Sequence, residues 1–304
     1  MKVKTDTPFK TASEVYIYRN GIQILPVFYI SRPGYGNGIA EITAFDSCRK
    51  LERDFDTSDY FSEDREYSFM ETASAIGGQC GFEGTVFPDL NRDNIPYRFL
   101  KGHTCREILQ LMSECGCGVW YCNNNNQLVF IKLFQVTDSY TLTEEKCSDF
   151  RKGSFKGPVV GVRAENTLED KIYMTADASF DAMINVSGKL INEEVAAKIT
   201  SDISGKEYRA FSCRQVITDS VPDSFSGFIY NDILYRAVSI ITYITVYGCC
   251  STVSAAVICE DENDYKGSLS YMLRRRITEE KKYGCTIISG EGLKMVYCDD
   301  EKGE

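Results

Sequence analysis

The stretch Thr104–Leu133, TCREILQLMSECGCGVWYCNNNNQLVFIKL, decides how this chain is read. Thr104 and Glu107 have capping-box spacing, in which a hydroxyl takes the third backbone N–H and a carboxylate returns to the first. Ile108, Leu109, Leu111, Met112 and Cys115 then fall on one helical stripe. Gly116 and Gly118 are placed to stop the helix. Val119–Cys122 is short and aromatic. Asn123–Asn126 reads as a turn, because Asn tolerates left-handed backbone and bonds to its own chain. Val129, Ile131 and Leu133 alternate with Phe130 and Lys132, which predicts a half-buried strand. The unit is helix, strand, turn, strand, built for packing.

Outward from it, the 304 residues suffice for two or three compact units. Forty-three per cent are hydrophobic, and 19 Tyr and 17 Phe accompany short runs of Val, Ile and Thr, which favours β-structure. The net charge of −10 argues against a protein that grips phosphate backbones. It suits a surface past which DNA slides without sticking. Met1–Lys10 is short and polar, with no signal-peptide core. No run approaches the roughly 18 apolar residues of a membrane helix. Ala237–Cys250, the longest apolar stretch, reads as a buried strand. These features predict folding in a cytoplasm without membrane insertion, and hence thiols rather than disulfides for the 13 cysteines.

Along the chain, Glu14–Arg19 and Ile22–Ile30 are strands joined by the hairpin signal Asn20-Gly21. Pro33–Gly38 is a second turn, and Ile39–Phe45 a strand leading to a short helix capped by Asp46 that carries Leu51 and Phe55. Phe69, Ala73, Ile76 and Cys80 have helical spacing, with Gly77-Gly78 placed to weaken or end that helix. Val159–Ala164, Lys171–Ala176, Arg209–Ile217, Gly227–Ile229, Ile233–Tyr247 and Ser251–Cys259 read as strands, and Leu190–Ile203 as an amphipathic helix. Tyr265–Lys282 is highly charged, Gly290–Tyr297 is a candidate last strand, and Asp299–Glu304 a polar tail. Polar junctions divide the chain into a first β-domain (1–58), an α+β middle domain (59–135), a second β-domain with one helix (136–262) and a charged C-terminal segment (263–304).

Cys115, Cys117 and Cys122 form a C-x-C-x4-C cluster, but a structural zinc site usually takes four ligands in two pairs, and His103 is the only histidine. Small buried thiols fit better. His103 and Cys105 point apart at a helix start, so they do not form a nucleophile and base. Gly34–Gly38 is G-x-G-x-G between antiparallel strands, a hairpin rather than a phosphate cradle. Trp120 and Tyr121 suit core or interface packing better than a sugar platform. Arg274–Arg276 reads as a solvated face. Asn185-Val186-Ser187 matches a glycosylation sequon, which carries little without secretion. The expectation is no catalytic, cofactor-binding or metal residue, and no cofactor.

Two segments together resemble tailed-phage baseplate hub (tail-associated) proteins. Val27–Phe55 is similar to their aromatic strand, loop, second strand and Asp-capped helix, through Phe28, Tyr29, Ile42, Ala44, Asp46, Leu51 and Phe55. The opening stretch matches their capped helix and following strand through Thr104, Arg106, Glu107, Ile108, Leu109, Leu128 and Phe130. Asn125-Asn126-Gln127 stands where the family often has Asp-Gly-Lys. Ile233–Ala256 is a weaker third match. The resemblance implies an α+β, mostly β fold, with two small antiparallel β-barrel-like domains flanking an α+β domain and room for discontinuous boundaries. It implies a homotrimer forming a ring that joins the tail tube to the tip or spike. Its partners would be itself, a tail tube or distal tail protein, a tip or spike protein and the tape-measure protein, with DNA passing through unbound. The location would be the virion tail, assembled in the bacterial host cytoplasm, and the chain would not be an enzyme. Phe28, Tyr29 and Phe45 are expected in the first β-domain core, and Leu109, Met112, Trp120 and Ile131 in the middle core. The competing readings are a tail-associated peptidoglycan hydrolase using carboxylates and a carbohydrate-binding module using Trp120 and Tyr121.

Overall fold

The first sheet begins with β1 (Lys2–Lys4), β2 (Glu14–Arg19), β3 (Ile22–Gln23), β4 (Phe28–Gly36) and β5 (Ile39–Phe45). Asn20 and Gly21 join β2 to β3 with φ of 53° and 80°, the left-handed pair that fits a tight hairpin. The structure, a computed structural model, describes residues 2–4, 10–11, 13–36, 39–58, 61–87, 94–177, 183–237, 239–245, 248–255 and 293–298. Arg274–Arg276, the whole charged run Tyr265–Lys282 and the polar tail lie outside them. Pro33–Gly36, expected as a turn, instead continues β4, paired with β5 as far as Gly36 opposite Ile39. A register shift between Ile30 and Arg32 lets the strand run on.

Asp46 accepts a hydrogen bond from the Cys48 N–H and opens a 3-10 helix, Ser47–Glu52. Next come β6 (Glu66–Ser68), α1 (Phe69–Cys80), β7 (Gly84–Val86), β8 (Asn94–Pro96), α2 (Cys105–Gly116), β9 (Gly118–Cys122) and β10 (Gln127–Lys132). Both α-helices start with complete capping boxes, Ser68 with Glu71 and Thr104 with Glu107. α1 runs through Gly77-Gly78 and stops at Gly81, at φ 71°. A Cβ on Gly77 would collide with the Thr85 hydroxyl, so this glycine serves close packing rather than termination. α2 ends on left-handed Cys117, not on a glycine. Gly118 is needed because a Cβ there would strike the Ile131 carbonyl and the Phe130 ring.

The remainder is β11 (Ser139–Thr141), β12 (Ser148–Lys156), β13 (Gly161–Asn166), β14 (Lys171–Met174), β15 (Met183–Gly188), α3 (Glu193–Ile203), β16 (Tyr208–Thr218), β17 (Gly227–Tyr230), β18 (Ile233–Arg236), β19 (Ser239–Thr245), β20 (Gly248–Ala255) and β21 (Leu293–Cys298). The architecture is α+β, mostly β. The first sheet has the order β1-β5-β4-β2-β21, with β3 on β2; the others are β7-β10-β9, β11-β17-β18, β12-β16-β20-β19, β14-β13-β15 and β6-β8. Among the described residues each is an open path of strands and none closes on itself. β21 pairs with β2 along its whole length, from Glu14 opposite Cys298 to Arg19 opposite Leu293, so distant sequence completes the first sheet. The single strand expected over Ile233–Tyr247 is two, β18 and β19, in different sheets.

Two cores hold these layers. The larger runs from Leu51 and Phe55 through α1, α2, β9, β10 and α3 to Val253. β10, expected to be half-buried, is buried on both faces from Leu128 to Ile131. Phe130 meets Trp120 at 5.1 Å between ring centres, and Tyr121 on the opposite face meets Phe225 at 4.8 Å. Leu109, Met112, Trp120 and Ile131 all lie in this core. The smaller core joins Val15, Ile17, Leu25, Ile30 and Ile42 to Ile244 and Cys249 of β19 and β20, with Phe28 packed against it. Tyr29 and Phe45, expected beside Phe28, lie opposite each other outside that cluster. Alternation along β4 turns Tyr29 the other way, where its hydroxyl accepts from Lys50 Nζ at 2.7 Å.

Hydrogen bonds from the Ser68 and Thr104 backbone N–H hold the Glu71 and Glu107 carboxyls below the usual carboxylate range. A carboxyl lowered by folding stabilises the fold above its unfolded pKa and loses that contribution as pH falls through its folded value. Between about pH 5 and pH 3, the urea midpoint of the wild type should therefore fall further than that of a Glu71→Gln, Glu107→Gln double variant. At neutral pH, Thr104→Ala should cost about 1 kcal/mol in the same measurement.

Candidate assembly surface

β19 is an edge of its four-stranded sheet among the described residues. Its outer face is apolar, while its inner face carries a polar residue between Ile240 and Ile244. Thr242 and Ser251 point inward, 7% and 1% exposed, and their hydroxyls hydrogen-bond at 3.0 Å. Ile241 and Tyr243 point outward, each 44% exposed. The register continues the outer row from Tyr243 through Cys250 to Ile217, which is 55% exposed. An antiparallel sheet with one solvated face normally turns polar residues outward. Here apolar side chains flank a row of edge N–H and C=O groups suited to another strand. No charged residue occurs from Ala237 to Cys259, so the usual device for blunting an edge is missing.

A second apolar edge lies on β14. Ile172 and Met174 share its outer face, opposite Glu165 and Arg163 of β13, and the adjoining Leu168 is also exposed. The Arg163 and Glu165 side chains pair at 3.8 Å across that face.

The candidate chemical residues of the sequence fall elsewhere. His103 is half-buried with Nδ1 3.2 Å from the Lys101 carbonyl, while Cys105 is fully buried at the start of α2. Cys115, Cys117 and Cys122 are buried, and among the described residues no group of three or more His, Cys, Asp or Glu side chains is placed to hold a metal. Trp120 and Tyr121 are each 5% exposed. Phe87 and Phe130 abut the Trp120 ring edge-on, so no glycan can stack on it. The sequon at Asn185–Ser187 lies within β15. Among the described residues the helices are too short to cross a membrane. Sequence reasoning missed the β19 edge because it read Ala237–Cys250 as uniformly buried. The available signal was Thr242 alternating with Ile241 and Tyr243.

No family model matches the sequence, and no curated protein matches it. Solved structures do match. The 43 kDa tail protein of prophage MuSo2 from Shewanella oneidensis superposes with a TM-score of 0.53 at 12% identity, over 84% of this chain and 86% of that one. The fold is that of a prophage tail protein. Prophage tail protein gp18 from Listeria monocytogenes is also similar, with a TM-score of 0.45, 13% identity and coverage of 93% and 88%. A tail protein from Neisseria meningitidis follows at 0.41, 10% identity and coverage of 81% and 96%.

Within this tail-protein fold, the outward β19 side chains contribute nothing to either core. Tyr243→Lys should change the urea stability of the dilute chain by less than about 0.5 kcal/mol. Trp120→Ala, which empties a packed site, should cost about 3–5 kcal/mol in the same titration.

Proposed function

We propose that the chain is a structural subunit of a phage or phage-derived tail, forming the hub ring between tail tube and tip or spike. The observation that carries this reading is the match to the prophage MuSo2 tail protein over most of both chains. The apolar-out edge of β19 supports an assembling subunit, because an exposed edge strand that lacks charge recruits further strands. The ring is a homotrimer. It contacts a tail tube or distal tail protein on one side and a tip or spike protein on the other, and the tape-measure protein and DNA pass through it. The net charge of −10 suits a conduit that does not hold DNA. The chain acts by assembly rather than catalysis, located at the baseplate or tail tip after assembly in the host cytoplasm. Cell-wall cleavage is left to other tail components.

Light scattering on the purified chain should give three times its mass of 34.3 kDa. Ile241→Lys with Tyr243→Lys should shift the mass to one chain while leaving the circular dichroism spectrum unchanged. A wild type that stays a single chain at every concentration contradicts the self-assembling ring. A zymogram on bacterial cell walls should show no clearing; clearing abolished by one carboxylate substitution would replace this reading with a hydrolase.

A further inference from the structure

The described surface carries two apolar edges, and they belong to different sheets. On β19, Ile241 and Tyr243 face outward, and Cys250 and Ile217 continue the row. On β14, Ile172 and Met174 face outward, 51% and 60% exposed, with Leu168 exposed in the turn before the strand. Each pair stands two residues apart on one strand face, which gives both the same spacing of about 7 Å. Met174 adds a flexible thioether, a group that packs well against an aromatic ring such as that of Tyr243.

Charge singles out these two edges for contact with a second copy. Each copy carries a net charge of −10, so copies approach with least opposition where the surface is neutral. β19 has no charged residue. At β14, Lys171 is tied back to Glu169 at 2.8 Å and Arg163 is paired with Glu165 at 3.8 Å, so the charges beside the apolar pair cancel. Of the charged residues from Arg163 to Met174, Asp170 alone stands outside those pairs, in the turn before the strand. The edge strand β12, at the other side of the β19 sheet, differs. It is broken by two register shifts and bears exposed Arg151 and Lys152, and both features blunt an edge.

Identical patches that meet make a two-fold pair, whereas a closed ring of three needs a patch on each copy that fits a different patch on the next. We propose that the contact between copies is head to tail: β19 of one copy lies along β14 of the next as an added strand, with Ile241 and Tyr243 beside Ile172 and Met174. Backbone N–H and C=O groups of the two edges pair across the junction, and the four side chains exclude water from it. Three such junctions close the ring and leave neither apolar edge exposed. This contact rests on the proposed ring and names the surfaces that build it.

Two double variants of the full chain separate the edges. Ile241→Lys with Tyr243→Lys removes the β19 patch, and Ile172→Lys with Met174→Lys removes the β14 patch. Both should keep the wild-type circular dichroism spectrum. Light scattering should give the mass of one chain for each variant alone. Their equimolar mixture should give the mass of two chains, because one intact junction remains and cannot propagate. A β14 variant that keeps the wild-type trimer mass, or a mixture that stays at one chain, overturns the head-to-tail contact and leaves the hub reading standing. Two-chain particles from the β14 variant alone show β19 meeting β19 and overturn it likewise. A wild type of one chain at every concentration overturns the ring and this contact together. Should the β14 variant misfold, benzoylphenylalanine in place of Met174 in the otherwise wild-type chain decides. On irradiation it should cross-link to a peptide containing Ile241 and Tyr243 from an isotope-labelled second copy; cross-links to other peptides of that copy overturn the contact.

Discussion

The Asn123–Asn126 turn is where this fold is tied together. The Asn126 side chain, 9% exposed, accepts from the Ser47 hydroxyl at 2.5 Å, across 79 residues of sequence. Its backbone carbonyl takes the Glu83 N–H at 3.0 Å, just after α1. Asn124 reaches forward to the Val221 carbonyl at 3.3 Å. Asn123 holds the turn itself by accepting the N–H groups of Asn125 and Gln127. One turn therefore joins the 3-10 helix after the first sheet, the end of α1 and the loop before β17. Leaving such a buried amide unpaired costs about 1–3 kcal/mol, which makes this register strongly preferred. Asn126 sits at φ 56°, a conformation that Asn accepts more readily than most residues.

That junction fixes the β9–β10 hairpin, and the hairpin organises the larger core. Trp120 and Phe130 on one face and Tyr121 on the other are sealed by rings from Phe87 and Phe225. The outward apolar side chains of β19 and β14 belong to neither core. β19 is also anchored from within, because Ile244 belongs to the smaller core shared with β2, β4 and β5. A neighbouring strand added to β19 would thus be coupled to the first sheet through packed side chains.

Local signals were legible in the sequence, and partners remote in sequence were not. The α2 capping box, its apolar stripe and the Asn20-Gly21 hairpin depend on residues a few positions apart, and they fold as their spacing dictates. Gly77 misled because glycine encodes both helix termination and close approach, and only the position of Thr85 decides between them. Cys117 closes α2 in left-handed backbone, and Gly118, the residue that spacing marks as the stop, is instead taken up by its close approach to β10. The pairing of β21 with β2 depends on residues some 280 positions apart, which no local pattern reports. The outward face of β19 was hidden for a related reason. An uncharged run looks buried until the sheet order places it at an edge among the described residues.

The central claim is that this tail-protein fold builds a ring from copies of itself. Class-averaged negative-stain images of the purified chain test it most directly. The account predicts threefold rings with a stain-filled centre, lost in the Ile241→Lys, Tyr243→Lys variant. Particles of single-chain size without a central hole, in wild type and variant alike, would contradict it.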